Sequence, residues 1–213
     1  MVLKKPPNVP TQEDSSGDID LLSMAKEYIK TKYNKAGNVY LALLHRLDRP
    51  VGGVIVFAKT SKAANRLSKD IQQNKWQKKY FAIVSGETCS SATLINHIKR
   101  IEGNFSKIVE ETEQGGKYSE LSFKTLDYNT KNNLSLLEVE LKTGRHHQIR
   151  LQLSNFGYPI WGDQRYNRNS KIGQQIALWS TELTLIHPIK KEQMTFNSFP
   201  QDKKPWNIFM SAL

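Results

Sequence analysis

The chain has 213 residues, 31 Lys and Arg against 20 Asp and Glu, a net charge of +11 and 38% hydrophobic residues, with a mean hydropathy of -0.56. No apolar run approaches the roughly 20 residues of a membrane-spanning helix, and the length suits one domain. The basic excess favours a polyanionic partner, nucleic acid ahead of an acidic membrane surface, while the single cysteine, Cys89, excludes a disulfide framework and a multi-Cys metal site and fits a reducing compartment such as the cytosol.

Residues 1–18 are Pro-rich, then polar and acidic. They read as extended or loosely ordered, without the apolar core of a signal peptide. Asp18 or Asp20 caps a helix over about 20–33, with Leu21, Leu22, Ala25, Tyr28 and Ile29 at helical spacing. A turn follows at 34–38 and a short strand at 39–44.

The organising stretch comes next, His45-Arg46-Leu47-Asp48-Arg49-Pro50-Val51-Gly52-Gly53, running into the apolar 54–58. The second part reads as a strand buried on both faces. Pro50 biases Arg49 away from helix. Asp48 therefore sits on a constrained loop anchored by a core strand, where a working carboxylate would be placed. Ordinary turn chemistry explains an Asp before Arg-Pro as well, and both readings stand on this stretch alone.

Thr60 or Ser61 caps a second helix to about 74, burying Ala63, Ala64, Leu67 and Ile71. Lys62, Arg66 and Lys69 align on another face, either as a solvated edge or as a phosphate-contacting ridge. Residues 78–85, with Tyr80, form a strand. Residues 86–117 read as a protruding hairpin or arm with Lys99, Arg100 and Lys107. Strands at 121–126 and 134–141 make an antiparallel hairpin. Gly144 breaks the chain before a helix of about 10 residues carrying Ile149 and Leu153, which Gly157 ends. Strands at 175–179, 183–186 and 193–196 complete an α+β chain, with a mixed, mainly antiparallel sheet flanked by helices and loops.

Phosphate-loop, dinucleotide, serine-hydrolase and zinc-protease signatures are missing from the sequence. Carboxylates, arginines and tyrosines remain, so neither metal nor cofactor is expected. Asp48 beside Arg150 would be held ionised and oriented, able to act as nucleophile or general base. Tyr80 could stack on a planar ring or move a proton. A salt-bridged core arginine and a packed tyrosine are the structural alternatives.

His45-Arg46-Leu47-Asp48-Arg49, the 78–86 strand, and Thr143-Gly144-Arg145-His146-His147-Gln148-Ile149-Arg150 followed by Gly157-Tyr158-Pro159-Ile160-Trp161-Gly162-Asp163 resemble the RluA-type pseudouridine synthases, in family order. The resemblance runs from about residue 5 to 196. It implies the pseudouridine synthase catalytic fold over 1–213 as a single domain, with no separate N-terminal RNA-binding domain. It also implies cofactor-free isomerisation of uridine in tRNA or rRNA. By that similarity Asp48 is the catalytic carboxylate, Arg150 pairs with it, Tyr80 lies against the uracil, Ile149 lines the pocket and Arg46 fills the gap left by the extruded base. Lys62, Arg66, Lys69, Lys99 and Arg100 are candidates for RNA contacts.

Lys5-Pro6-Pro7 resembles the end of the family's first motif with its leading strand missing, so an edge strand is expected to be lost. Val51-Gly52 stands for a usual Thr-Ser, His146 for a usual threonine and Tyr158 for a usual histidine. A monomer, cytoplasmic and away from membranes, is expected. The alternative function is a catalytically inactive RNA-binding protein of the same fold.

Overall fold

The computed structural model describes residues 1–213. In chain order its elements are β1 (Val2–Lys5), α1 (Leu21–Lys32), β2 (Ala42–Leu43), β3 (Gly52–Ala58), α2 (Ser61–Gln72), β4 (Gln77–Ser85), β5 (Ser91–Ile101), β6 (Phe105–Val109), β7 (Lys117–Asn129), β8 (Leu134–Leu141), α3 (Gln148–Asn155), β9 (Leu178–Ile186) and β10 (Gln193–Asn197). This is an α+β chain. It divides into two compact units, Met1–Trp76 with Ser180–Ser198, and Gln77–Trp179 with Phe199–Leu213. No helix is long and apolar enough to cross a membrane.

In the first unit β3 is the centre, and every one of its residues is buried. β1 runs antiparallel along it, from Val2 opposite Val56 to Lys5 opposite Gly53. The edge strand expected to be missing is therefore present. The sequence hides it because it is only four residues long and half of them are lysines. β2 is shorter than the expected 39–44; beyond it the Val56 N–H is met by His45 Nε2 at 3.1 Å rather than by a strand. Gly53 is obligatory at φ +125°, since a Cβ there would sit 2.2 Å from the Ser180 carbonyl oxygen on β9. Val54, Val56, Ala58, Leu67, Trp76, Leu183 and Leu185 form the core against which α2 packs.

The Asp20 carboxylate accepts the Ser23 N–H at 3.0 Å, and α1 starts there as read. Its buried stripe is Leu21, Ala25 and Ile29. Tyr28 lies off that stripe and is exposed. The expected strands at 175–179 and 183–186 are replaced by one, β9, because Ser180 and Thr181 between them are buried despite their polarity. The Ser180 hydroxyl donates to the Val54 carbonyl at 3.2 Å, which satisfies it there.

The second unit is an antiparallel series ordered β4-β8-β7-β5-β6. Tyr80 lies opposite Val139 and Leu121 opposite Leu141, with a bulge between Thr125 and Asp127. β5 and β6 form the expected hairpin, turning at Glu102–Asn104, but β5 is paired with β7 from Ser91 to Ile98, so only the part from Lys99 to the turn extends past that pairing as an arm. Cys89, exposed, stands just before β5. α3 covers part of this sheet with Ile149 and Leu153 buried.

Candidate active site

The Asp48 loop is fixed from the first unit's own backbone. Asp48 closes a tight turn, its carbonyl accepting the Val51 N–H at 2.9 Å, and the Asn8 N–H bonds the Arg49 carbonyl at 2.8 Å. Thr11 donates its hydroxyl to the Leu47 carbonyl at 2.8 Å. Lys5 is the deepest of these ties. Its ammonium donates to the carbonyls of Pro6, Val9 and Arg49 at 3.0, 2.7 and 2.9 Å, and no part of the residue reaches solvent. Burial pulls its pKa down to about 8, against the opposing pull of the Asp48 charge. The Arg49 guanidinium holds the acidic N-terminal stretch, bonding Asp18 and the Ser16 hydroxyl. Asp48 itself is partly buried and Arg46 is exposed.

In the second unit the motif ending at Arg150 folds as a turn leading into α3. His147 takes the left-handed conformation at φ 55° to start the helix. The Gln148 side chain accepts from the Thr143 hydroxyl and the Arg145 N–H, both at 2.9 Å, and donates to the Glu120 carbonyl at 3.0 Å. These bonds pin the first turn of α3. Arg150 then meets Asp163 with Nε to Oδ2 at 2.9 Å and Nη2 to Oδ1 at 2.7 Å, with both side chains buried. Such a two-pronged pair holds a guanidinium in one orientation.

Asp163 is delivered by a turn that hangs on β4, the strand carrying Tyr80. The Ser85 N–H bonds the Pro159 carbonyl at 3.0 Å and the Trp161 N–H bonds the Ile83 carbonyl at 2.9 Å. Gly162, at φ +75°, brings this turn so close that a Cβ would lie 2.3 Å from the Gln175 carbonyl. Tyr166 packs its ring 5.4 Å from the Arg150 guanidinium, and burial raises its phenol pKa.

Of the residues singled out from sequence, the first unit carries Arg46, Asp48, Lys62, Arg66 and Lys69, and the second carries Tyr80, Lys99, Arg100, Ile149 and Arg150. Tyr80 is buried on β4, and Ile149 and Arg150 are buried side by side on α3. Lys62 and Lys69 are exposed, whereas Arg66 turns to donate to the Pro188 carbonyl at 2.7 Å. On the arm, Lys99 and Lys107 share the Glu113 carboxylate at 3.0 and 3.3 Å. Arg100 is exposed and donates to Asn104 at 3.0 Å. Three residues went without a role in the sequence reading: Lys5, Gln148 and Asp163. Gln148 and Asp163 stand inside the stretches that resemble the family's motifs, which is the signal that could have found them; Lys5 stands beside two prolines, with nothing in the sequence to mark it as buried.

The family model described as RNA pseudouridylate synthase matches residues 1–155. An uncharacterised RNA pseudouridine synthase of Bacillus subtilis (strain 168) is 31% identical over 207 residues, which is 96% of this chain and 67% of that protein. A tRNA pseudouridine synthase C of Haemophilus influenzae is 33% identical over 173 residues, 73% of this chain and 72% of that one. A ribosomal large subunit pseudouridine synthase D of Zymomonas mobilis is 30% identical over 170 residues, and the match spans only 53% of its length. In fold, human RNA pseudouridylate synthase domain containing 4 superposes with a TM-score of 0.77 at 20% identity, over 94% of this chain and 85% of that one. The chain belongs to the RNA pseudouridylate synthase family, and by that membership it is an enzyme of the pseudouridine synthase class.

Proposed function

We propose that this protein isomerises particular uridines of structured RNA, in tRNA or ribosomal RNA, using Asp48 and no cofactor. The reaction breaks N1–C1′, turns the uracil while it stays bound, joins C5 to C1′ and passes the C5 proton away as N1 gains one. Asp48 either attacks C1′ or takes a sugar proton to open this sequence. Arg150 is its counter-charge, Tyr80 lies along the uracil and assists loss of the C5 proton, Ile149 lines the pocket, and Arg46 occupies the place the base vacates. Flipping a base costs a few kcal/mol, and lysine and arginine contacts to nearby phosphates offset it. Lys62, Arg66, Lys69, Lys99 and Arg100 are assigned those contacts. Both units serve one catalytic domain, a reading supported by a family match that runs through both. The enzyme works as a cytoplasmic monomer away from membranes.

One observation carries this reading: Arg150, the last residue of the motif that resembles the family's, is buried in a two-pronged clamp. A guanidinium fixed so firmly suits orienting a reacting carboxylate better than grasping phosphates. RNA labelled with tritium at uracil C5 supplies the test. Asp48→Ala is expected to abolish tritium release while RNA retention on filters stays near wild type. Release unchanged in that variant would refute the role of Asp48. An intact wild type that binds RNA and releases no tritium from any fraction would leave the non-catalytic RNA-binding reading.

A further inference from the structure

The β5–β6 arm is bolted to α3 by groups that none of the roles above uses. Ser106 on β6 donates its N–H to Tyr166 Oη at 3.0 Å, and its hydroxyl donates to the His146 carbonyl at 3.0 Å. That leaves His146 Nδ1, 2.9 Å from the same oxygen, as the donor to it. The phenol has one hydrogen to give. His147 Nδ1 at 2.9 Å is a better acceptor for it than the Ser106 carbonyl at 3.4 Å. The two imidazoles stack with centroids 3.7 Å apart. Nearer the tip, Arg165 donates to the Asn104 carbonyl at 3.0 Å and lies 4.6 Å over the Phe105 ring.

Tyr166 is the hub of these ties. Its hydroxyl joins the arm to His147 at the start of α3, its ring faces Arg150, and its carbonyl accepts the Ser154 hydroxyl at 2.6 Å. We propose that Tyr166 is a positioning residue that sets the arm, and the RNA lying along Arg100 and Lys107, at a fixed place relative to Arg150. Ser106 and His146 complete the latch. The inference rests on the reading that Arg150 serves catalysis and that the arm meets RNA.

The test separates the hydroxyl from the ring. Tyr166→Phe keeps the ring over Arg150 and removes the bonds to Ser106 and His147. Hydrogen exchange of the peptide 102–107 is expected to quicken about tenfold, as loss of about one net hydrogen bond implies. Tritium release from bulk C5-labelled RNA is expected to lose about tenfold in kcat/KM, carried by KM. Tyr166→Leu, which also loses the ring face, lowers kcat in addition. Ser106→Ala loosens the same peptide without touching Tyr166, and covers the case in which the tyrosine variants fold poorly. Unchanged exchange overturns the proposal. So does faster exchange with KM intact, or a loss confined to kcat. If wild type releases no tritium, the catalytic reading has failed by itself. Filter retention of the same RNA then decides: weaker retention with faster exchange upholds the latch, and unchanged retention overturns it.

Discussion

Arg150 and Asp163 meet edge to edge through two parallel hydrogen bonds of 2.9 and 2.7 Å, with both side chains out of water. Asp163 also accepts the Arg165 N–H at 3.0 Å, so one carboxylate holds the helix and the following turn together. Asp163→Asn keeps the shape and removes the negative charge of the two-pronged clamp from a buried guanidinium. The expected cost is about 3–5 kcal/mol, with pseudouridine formation lost. Urea unfolding followed beside tritium release checks this; an unfolding midpoint equal to wild type would show that the pair is not what fixes Arg150.

Lys5 gives a prediction in pH. Its folded pKa lies near 8, below the ordinary 10.5, because burial disfavours the ammonium. Between these values the unfolded chain binds more protons than the folded one. The group's contribution therefore rises with pH in that window, by on the order of 1 kcal/mol per pH unit at most, and its penalty is full below about pH 8. Subtracting the Lys5→Met stability curve from the wild-type curve should expose that slope. Because the Asp48 charge raises the Lys5 pKa, Asp48→Asn should shift the Nζ titration, followed by NMR, to lower pH. No movement would mean the two charges do not feel each other.

Lys5→Met should itself destabilise. It strips the ammonium donor from the Pro6 and Val9 carbonyls, and from the Arg49 carbonyl, which keeps the Asn8 N–H, at about 1–3 kcal/mol for each group left unsatisfied and not reached by water. The loop carrying Asp48 should loosen first, seen as faster amide exchange at Val51, whose N–H bonds the Asp48 carbonyl.

Gly53→Ala adds one methyl where β3 passes β9. The added carbon would sit 2.2 Å from the Ser180 carbonyl oxygen, at a φ that side chains rarely adopt. A loss of about 3 kcal/mol or more follows, since both backbones would have to shift. Thermal unfolding measures it, and a midpoint within a degree or two of wild type would show that the two strands part easily.

Glu113 acts in the opposite direction. Lys99, then Lys107, hydrogen-bond its carboxylate and lower its pKa. Glu113→Gln should release both ammoniums to phosphate. RNA affinity is then expected to rise about two- to threefold, with a steeper fall as salt increases. Stability should not change. Filter binding across a salt series would reveal it, and an unchanged slope would remove these lysines from the RNA path.

Helix positions were legible in the sequence because their caps and spacings are local: Asp20, Thr60 and the Ile149–Leu153 pair all mark elements that are present. The arm was legible from its glycines, and β3 from its apolar run. What stayed hidden was long-range. β1 is a strand because β3 offers it an edge, not because Val2–Lys5 reads as one. Ser180 and Thr181 look like a break until the Val54 carbonyl supplies a partner. At the candidate site, Arg150 was marked by its motif, but its clamp to Asp163 depends on a turn hung from β4, a contact no spacing rule reveals. Lys5 shows the same limit, since a lysine reads as surface until three carbonyls converge on it.

The lone thiol offers something practical. Cys89, exposed at the root of β5, is the chain's one cysteine, so a maleimide dye will attach at that point and nowhere else. A fluorophore placed there sits at the sheet end of β5, opposite the turn at Glu102–Asn104, where the Thr125 hydroxyl donates to the Cys89 carbonyl. It would turn the slower tumbling of an RNA-bound chain into an anisotropy change, without first removing competing sulfhydryls.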